Sequence, residues 1–458
     1  MTHRKFFPDR HLILNLIAAG FLCWSNLGHA QDSSGAPDSE RIRKLEEVVA
    51  QMQRENRELR QEVQALKPAL PASVAAGKAA DSAAGDRPRF VLPAGKESAL
   101  KLGGFIQGNV ESGDVSSFEG RLAGGANAVN NRFRLRRARL NVTGDFAEHF
   151  DFKLEGDFQQ ADGIAGGRTG FSSTDLFLNW NRWPAANVKI GQFKAPFGLE
   201  QLTSDTILLT PERTLVTGAL TPERQIGVQL WGKPLSSERP AQRDLFSYAL
   251  GVFNGNGRNT TANDNNDFML AARLESTVLA GKIFEQSAKV KLGVNGLYSR
   301  DAANVNLSTT LALALQPDGS LLPFSTHTPD KRHAVGADLS VTWGPLDLIA
   351  EFLEERIRPT TAAANFRAFL ANGGYVQAGW FILPDRLQLV GKWDTFNPGQ
   401  ERNDDFQSTT AGLNYYLKGH DLKLMFNYIH TRSDFRRTNP RLGQDRFDQL
   451  LGRIQVIF

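Results

Sequence analysis

From about Phe90 onward, apolar and polar residues exchange places at every second position, in short runs separated by clusters of Gly, Asn, Asp and Pro. A period of two is the signature of β-strands, whose successive side chains point to opposite faces. In "DFKLEGDF", Phe152, Leu154 and Phe158 share one face, and Lys153, Glu155 and Asp157 share the other. "KVKLGVN" sets Val290, Leu292 and Val294 against Lys289 and Lys291, and "DLKLMFNY" sets Leu422, Leu424, Phe426 and Tyr428 against Lys423 and Asn427. Such runs begin near Leu100, Arg132, His149, Thr174, Asn187, Arg224, Leu245 and Asp267, and again near Ser287, His333, Leu346, Gly374, Arg386, Gln407, Asp421 and Phe447. The count is sixteen, an even number, and most runs have the about 9–11 residues that a tilted strand needs to cross a bilayer. Short connections ("GDFAE", "WGPL", "KGH") alternate with long polar ones ("NGNGRNTTANDNND", Asp301 to Asp330). Short turns on one side and long loops on the other describe an outer-membrane barrel.

Other features agree with a barrel. A soluble sandwich would bury the apolar face and expose the charged one. Here Trp180, Trp231 and Trp343 near strand ends suit interfacial girdles, and the last run, "QLLGRIQVIF", ends on Phe458 with Leu450, Ile454 and Val456 on one face. The fold expected is all-β: a 16-stranded antiparallel transmembrane β-barrel over residues 89–458.

The preceding residues read differently. Arg4, Lys5 and Arg10 precede the apolar run Leu12 to Trp24, and Gly28 and Ala30 are the small residues a signal peptidase reads. Residues 1–30 are therefore expected to be a signal peptide, whose removal takes away the only cysteine, Cys23. Within 31–67, Ile42, Leu45, Val49, Met52, Asn56, Leu59, Val63 and Leu66 keep spacings of three and four, an a/d seam with a polar residue at one a position. A short coiled-coil helix in the periplasm is expected, and the heptads leave dimer against trimer open. Residues 68–88 are a Pro/Ala/Gly/Ser linker.

Charge narrows the function. The formal charge is +4, from 53 basic and 49 acidic residues among 458, too balanced for a general polyanion binder, so nucleic acid is not expected. The exception is "RFRLRRARL", five arginines in eight residues at the start of the second strand. Ala138, Leu140 and Val142 set its lipid face, which turns Arg137 and Arg139 inward. Arg132, Arg134 and Arg136 have the opposite parity, and each would cost about 2–4 kcal/mol in lipid near the midplane. Either they stand above the hydrocarbon or a bulge near Arg136 shifts the phase. Lys153 adds an inward base on the next strand, and Glu155 and Asp157 there could pair with the arginines and leave them merely solubilising the lumen. Between Lys194 and Gln225 runs a segment too apolar to hang in solvent, with Arg213 and Arg224 in its two "TPER" repeats. It is expected to fold into the barrel and narrow it.

"RFRLRRARLNVTGDF", "DLFLNW", "VKIGQFKAPFGLE" and "LTPERQIGVQLWG", behind a coiled coil and ahead of a terminal Phe, resemble the phosphate-selective porin O/P family. The resemblance implies a trimeric sixteen-stranded anion channel of the outer membrane. It makes Arg134, Arg137 and Arg139 lumen arginines and Lys194 a base at the constriction. With Lys153, Arg213 and Arg224 these form the candidate anion site. Partners implied are small anions such as phosphate or polyphosphate, outer-membrane lipid and two further copies of the chain; no cofactor is implied. A general porin, or one specialised for sugars or organic anions, is the alternative, because inward positions over the whole barrel carry both signs in near balance. No HExxH, Gly-x-Ser-x-Gly or glycine-rich phosphate loop occurs, so catalysis is not expected.

Overall fold

The computed structural model describes residues 90–93, 99–114, 131–159, 170–235, 244–301, 313–315, 321–323, 330–359, 368–399, 402–442 and 444–458. The expected signal peptide, heptads and linker lie outside the described residues. The first half of the wall comprises β1 (Ala99–Gly113), β2 (Asn131–Phe146), β3 (Phe150–Asp157), β4 (Ser172–Trp183), β5 (Ala186–Lys194), β6 (Arg224–Gly232), β7 (Phe246–Phe253) and β8 (Met269–Ile283). The second comprises β9 (Gln286–Asp301), β10 (Asp330–Trp343), β11 (Leu346–Pro359), β12 (Phe369–Leu383), β13 (Leu387–Asn397), β14 (Phe406–Lys418), β15 (Leu422–Ser433) and β16 (Arg446–Ile457). Each strand pairs antiparallel with the next, and β16 pairs with β1 from Gln449↔Gly113 to Ile457↔Phe105, closing the sixteen-stranded barrel. Two of the short turns carry consecutive residues at positive φ, Ala147 (48°) with Glu148 (59°) and Phe284 (47°) with Glu285 (62°). That is the pattern of type I′ turns, whose twist matches the flanking strands.

The alternation sorts side chains as a membrane barrel requires. On β1 the outward Ile106 and Val110 are exposed, while the inward Gln107, Asn109 and Glu111 are almost wholly buried. Trp231 departs from the girdle expectation. It follows the outward Val228 and Leu230 with inward parity, and its indole N–H donates to Asn179 Oδ1 at 2.9 Å inside the barrel.

At the seam, Phe458 continues the ladder: its N–H donates to Gly104 O and Gly104 N–H donates to Phe458 O, both at 3.0 Å. A Cβ on Gly104 would lie 2.4 Å from Arg139 O and 3.0 Å from the Phe458 ring, so only glycine fits without a backbone shift. Gly104→Ala is expected to cost about 1–3 kcal/mol, as overpacking does. This would be read as a lower temperature at which the folded band disappears in heat-modification electrophoresis.

The hydrophobic core lies within the barrel, against the third long loop, residues 195–223. This loop carries α1 (Leu199–Leu202) and α2 (Leu215–Leu220). Phe197, Val216, Ala219 and Leu220 are buried against Phe193, Phe253, Met269, Leu353 and Phe396 of the wall. Small residues of β12 make room for α2: Ala371 is in this cluster, and a Cβ on Gly373 would already touch Val216; Ala271 and Ala334 belong to the same cluster. The loop is apolar because it is an interior segment, which explains the inward fold expected from its composition.

Candidate functional site

The arginine strand turns on one irregularity. The β1–β2 register runs Gln107↔Arg137 and then Gly108↔Leu135, leaving Arg136 as an extra residue. A bulge of this kind reverses the parity of everything beyond it. Phe133 and Leu135 therefore point outward and are exposed, and Arg132, Arg134 and Arg136 face inward together with Arg137 and Arg139. Of the two arrangements open to the sequence, the bulge is the one realised.

The loop meets this wall with two carboxylates. Asp205 lies 2.7 Å from Arg139 Nη1, 3.4 Å from Arg137 Nη2 and 2.5 Å from Arg213 Nη1. Glu212 accepts from Arg136 Nε (2.8 Å) and Nη2 (2.9 Å) in a bidentate pair, and from Arg453 Nη2 at 2.5 Å. Burial alone would raise both acids, but the guanidinium groups prevail and hold both carboxyls well below the ordinary carboxylate range: first Arg137, then Arg213 and Arg139 for Asp205, and first Arg136, then Arg453 and Arg137 for Glu212. Loop carbonyls are gripped as well: Lys392 reaches Glu212 O at 3.0 Å, Asn414 reaches Leu209 O at 2.8 Å and Gln455 reaches Thr206 O at 3.0 Å. On the far side Glu351 accepts from the N–H groups of Leu199 (2.5 Å) and Glu200 (3.1 Å), and Asp394 accepts from Leu215 N at 3.3 Å. The loop is thus held to the wall both by bases that grip its carboxylates and carbonyls and by acids that accept from its N–H groups.

Beside it lies a cavity of about 360 Å³. Six of the seven candidate residues line it: Arg134, Arg137, Arg139, Lys194, Arg213 and Arg224. Lys194 donates to Thr203 O at 3.0 Å, and Arg224 pairs with Asp175 at 2.7 Å. Lys153 does not reach the cavity; it is held by Glu155 (3.0 Å) and Asp175 (3.3 Å). The pairing expected between Arg139 and the acids of β3 is present, to Asp157 at 3.0 Å and Glu155 at 3.7 Å. Arg213 and Arg224 pair with Asp205 and Asp175 rather than with their sequence neighbours Glu212 and Glu223.

Three lining bases escaped the sequence reading. Arg136 needed the bulge. Lys392 had inward parity on β13, but only barrel closure brings it to the loop. Arg258 comes from "NGNGRNTTANDNND", one of the long polar connections. That segment is docked: Asn259 N–H donates to Gln192 Oε1 at 2.7 Å and Gly257 N–H to Gln225 Oε1 at 2.9 Å. The cavity lining has nine basic and six acidic residues, whereas the inward positions as a whole are nearly balanced. Positive charge is therefore concentrated at the narrowing, where low-dielectric walls focus its field.

Comparison with known proteins agrees with this architecture. The profile of the family "Phosphate-selective porin O and P" matches residues 108–458. Porin O of Pseudomonas aeruginosa is 21% identical over 424 residues, covering 79% of this chain and 89% of that protein. Among solved structures, an anion-selective porin from Comamonas acidovorans aligns with TM-score 0.52 at 12% identity, over 79% of this chain and 100% of the other. The trimer form of in-vitro folded OmpT from Vibrio cholerae aligns with TM-score 0.51 at 9% identity, over the same shares. At these identities the structural likenesses speak for the fold. The profile match covers most of the chain, and this protein belongs to the phosphate-selective porin O and P family of outer-membrane channels.

Proposed function

We propose that the barrel conducts small anions and prefers phosphate or polyphosphate, with Arg134, Arg137, Arg139, Lys194, Arg213 and Arg224 as successive contacts and Lys153 as an inward base outside the cavity. The observation that carries this reading is the excess of bases over acids in the cavity beside the third loop. Phosphate offers several charged oxygens that planar guanidinium groups can grip two at a time. Conduction requires release as well as capture, and a run of modest contacts serves both better than one tight site. Anion selectivity in the Comamonas acidovorans porin of the same fold is consistent with it. The heptads at 40–67 would self-associate in the periplasm, and the channel would be a homotrimer, the state in which one OmpT structure is described.

One observation favours a second reading. Arg137, Arg139 and Arg213 already hold Asp205, so the ladder is partly neutralised by the protein itself. A channel so compensated could pass anions with little preference for phosphate. Titrating phosphate against the chloride current of the purified protein in planar bilayers separates the two. Saturable block at millimolar phosphate or below, with sulfate markedly weaker, supports the phosphate reading. Equal and unsaturated effects of the two anions make this a general anion porin.

A further inference from the structure

On the wall formed by β4, β5 and β6, nearer the short-turn end than the arginine cavity, Lys189 sits among aromatic rings. Its Nζ is 4.5 Å from the ring centroid of Phe177, 5.3 Å from that of Phe193 and 5.5 Å from that of Trp231. Lys189 has no hydrogen bond or ion pair with any described residue, although it is largely buried and has the parity that faces the lumen. The neighbouring acids are engaged elsewhere. Asp175 is taken by Arg224 and Lys153, and Asp151 accepts from Asn179 Nδ2 and Asn181 Nδ2, both at 2.8 Å.

The rings are held in place independently of the lysine. The Trp231 indole is fixed by Asn179. Phe177 packs edge-on against Phe193, and Phe193 edge-on against Phe253, which lies in the core under the third loop. Gly191, between Lys189 and Phe193 on the same strand, adds no side chain to the patch. The result is a preformed amphipathic patch: one ammonium group with unused donors, framed by the partly exposed faces of Phe177 and Trp231, with Phe193 buried behind them. A compact hydrated anion gains little from such rings. A carboxylate carried on a flat apolar body satisfies both halves, its oxygens on Nζ and its ring against Phe177 and Trp231.

We propose that Lys189, Phe177 and Trp231 form a second lumenal site, which binds aromatic carboxylates. It rests on the channel reading alone and not on phosphate preference.

The test is block of chloride current by benzoate, with acetate as the comparator and phosphate titrated in the same membranes. Benzoate is expected to reach half-block at a concentration at least tenfold below acetate. Lys189→Met is expected to abolish that difference while shifting the phosphate response less than twofold. Trp231→Leu, which leaves every charge in place, is measured beside it and is expected to weaken benzoate at least threefold without changing acetate. Benzoate no better than acetate in the wild type overturns the site. So does a benzoate advantage that persists in Lys189→Met, or, should the lysine variant fail to assemble, one that Trp231→Leu reduces less than threefold. Absence of phosphate block with these benzoate results intact would sink the phosphate reading and leave this site standing.

Discussion

Replacing Arg137 and Arg139 together by alanine is expected to move the zero-current potential in a KCl gradient most of the way from the anion limit to zero, and to weaken phosphate block at least tenfold. Both side chains are almost fully buried and both line the cavity. Arg139 bridges Asp157 on the wall and Asp205 on the loop, at 3.0 and 2.7 Å. Its removal therefore deletes a positive charge and also leaves Asp157 and Asp205 without that partner beside the ion path. The lining would fall from nine bases against six acids to seven against six, with the lost positions adjacent on one strand. A tenfold change corresponds to about 1.4 kcal/mol of interaction with the passing anion, modest for two charge-assisted contacts. The barrel itself should assemble, because its closure rests on backbone ladders and the outward apolar face rather than on these pairs. Single-channel recording of the double variant beside the wild type checks the outcome.

Asp205→Asn is expected to detach the near side of the third loop. One carboxylate holds three guanidinium groups in a buried setting, and breaking a buried ion pair from one side leaves uncompensated charge at a cost of about 3–5 kcal/mol. The consequence is local: trypsin should cut after Arg213 in the folded variant under conditions that leave the wild-type loop intact. The pH dependence follows from the depressed carboxyl. Because the folded value lies below the ordinary 3.8, the stabilisation is fully present above about pH 5 and is lost as pH falls through the folded value. The stability difference between wild type and Asp205→Asn should therefore be constant from pH 8 to pH 5 and shrink only below about pH 4. A difference that already narrows between pH 7 and pH 5 would contradict the pairing.

Strand number and sidedness were legible because they follow from a period-two pattern that each segment carries alone. The arginine strand even contained the choice between a displaced mouth and a bulge. They could not decide it, since the bulge is defined by its partner, Gln107 to Gly108 on β1. The inward loop was legible from apolar composition, but its seating was not. Arg453 reaches Glu212 across 241 residues of sequence and Lys392 reaches Thr210 across 182, contacts that exist only once β16 meets β1. Alternation tells which side a charge faces and not the depth at which it sits, so the near balance of lumen charges concealed a basic excess at the narrowing. Trp231 is different: Val228 and Leu230 carried the information that it points inward, and a strand-end rule for aromatics obscured it. Arg258 had no signal, because an outer loop has no period to read.

Permeation is governed, on this account, by the charge concentrated at the third loop rather than by the balanced whole. The zero-current potential of the purified wild-type channel in a tenfold KCl gradient measures that directly. A value close to the Nernst potential of chloride is predicted. A value near zero, or of the sign for potassium, would mean that the loop carboxylates cancel the arginines and that the cavity does not select anions.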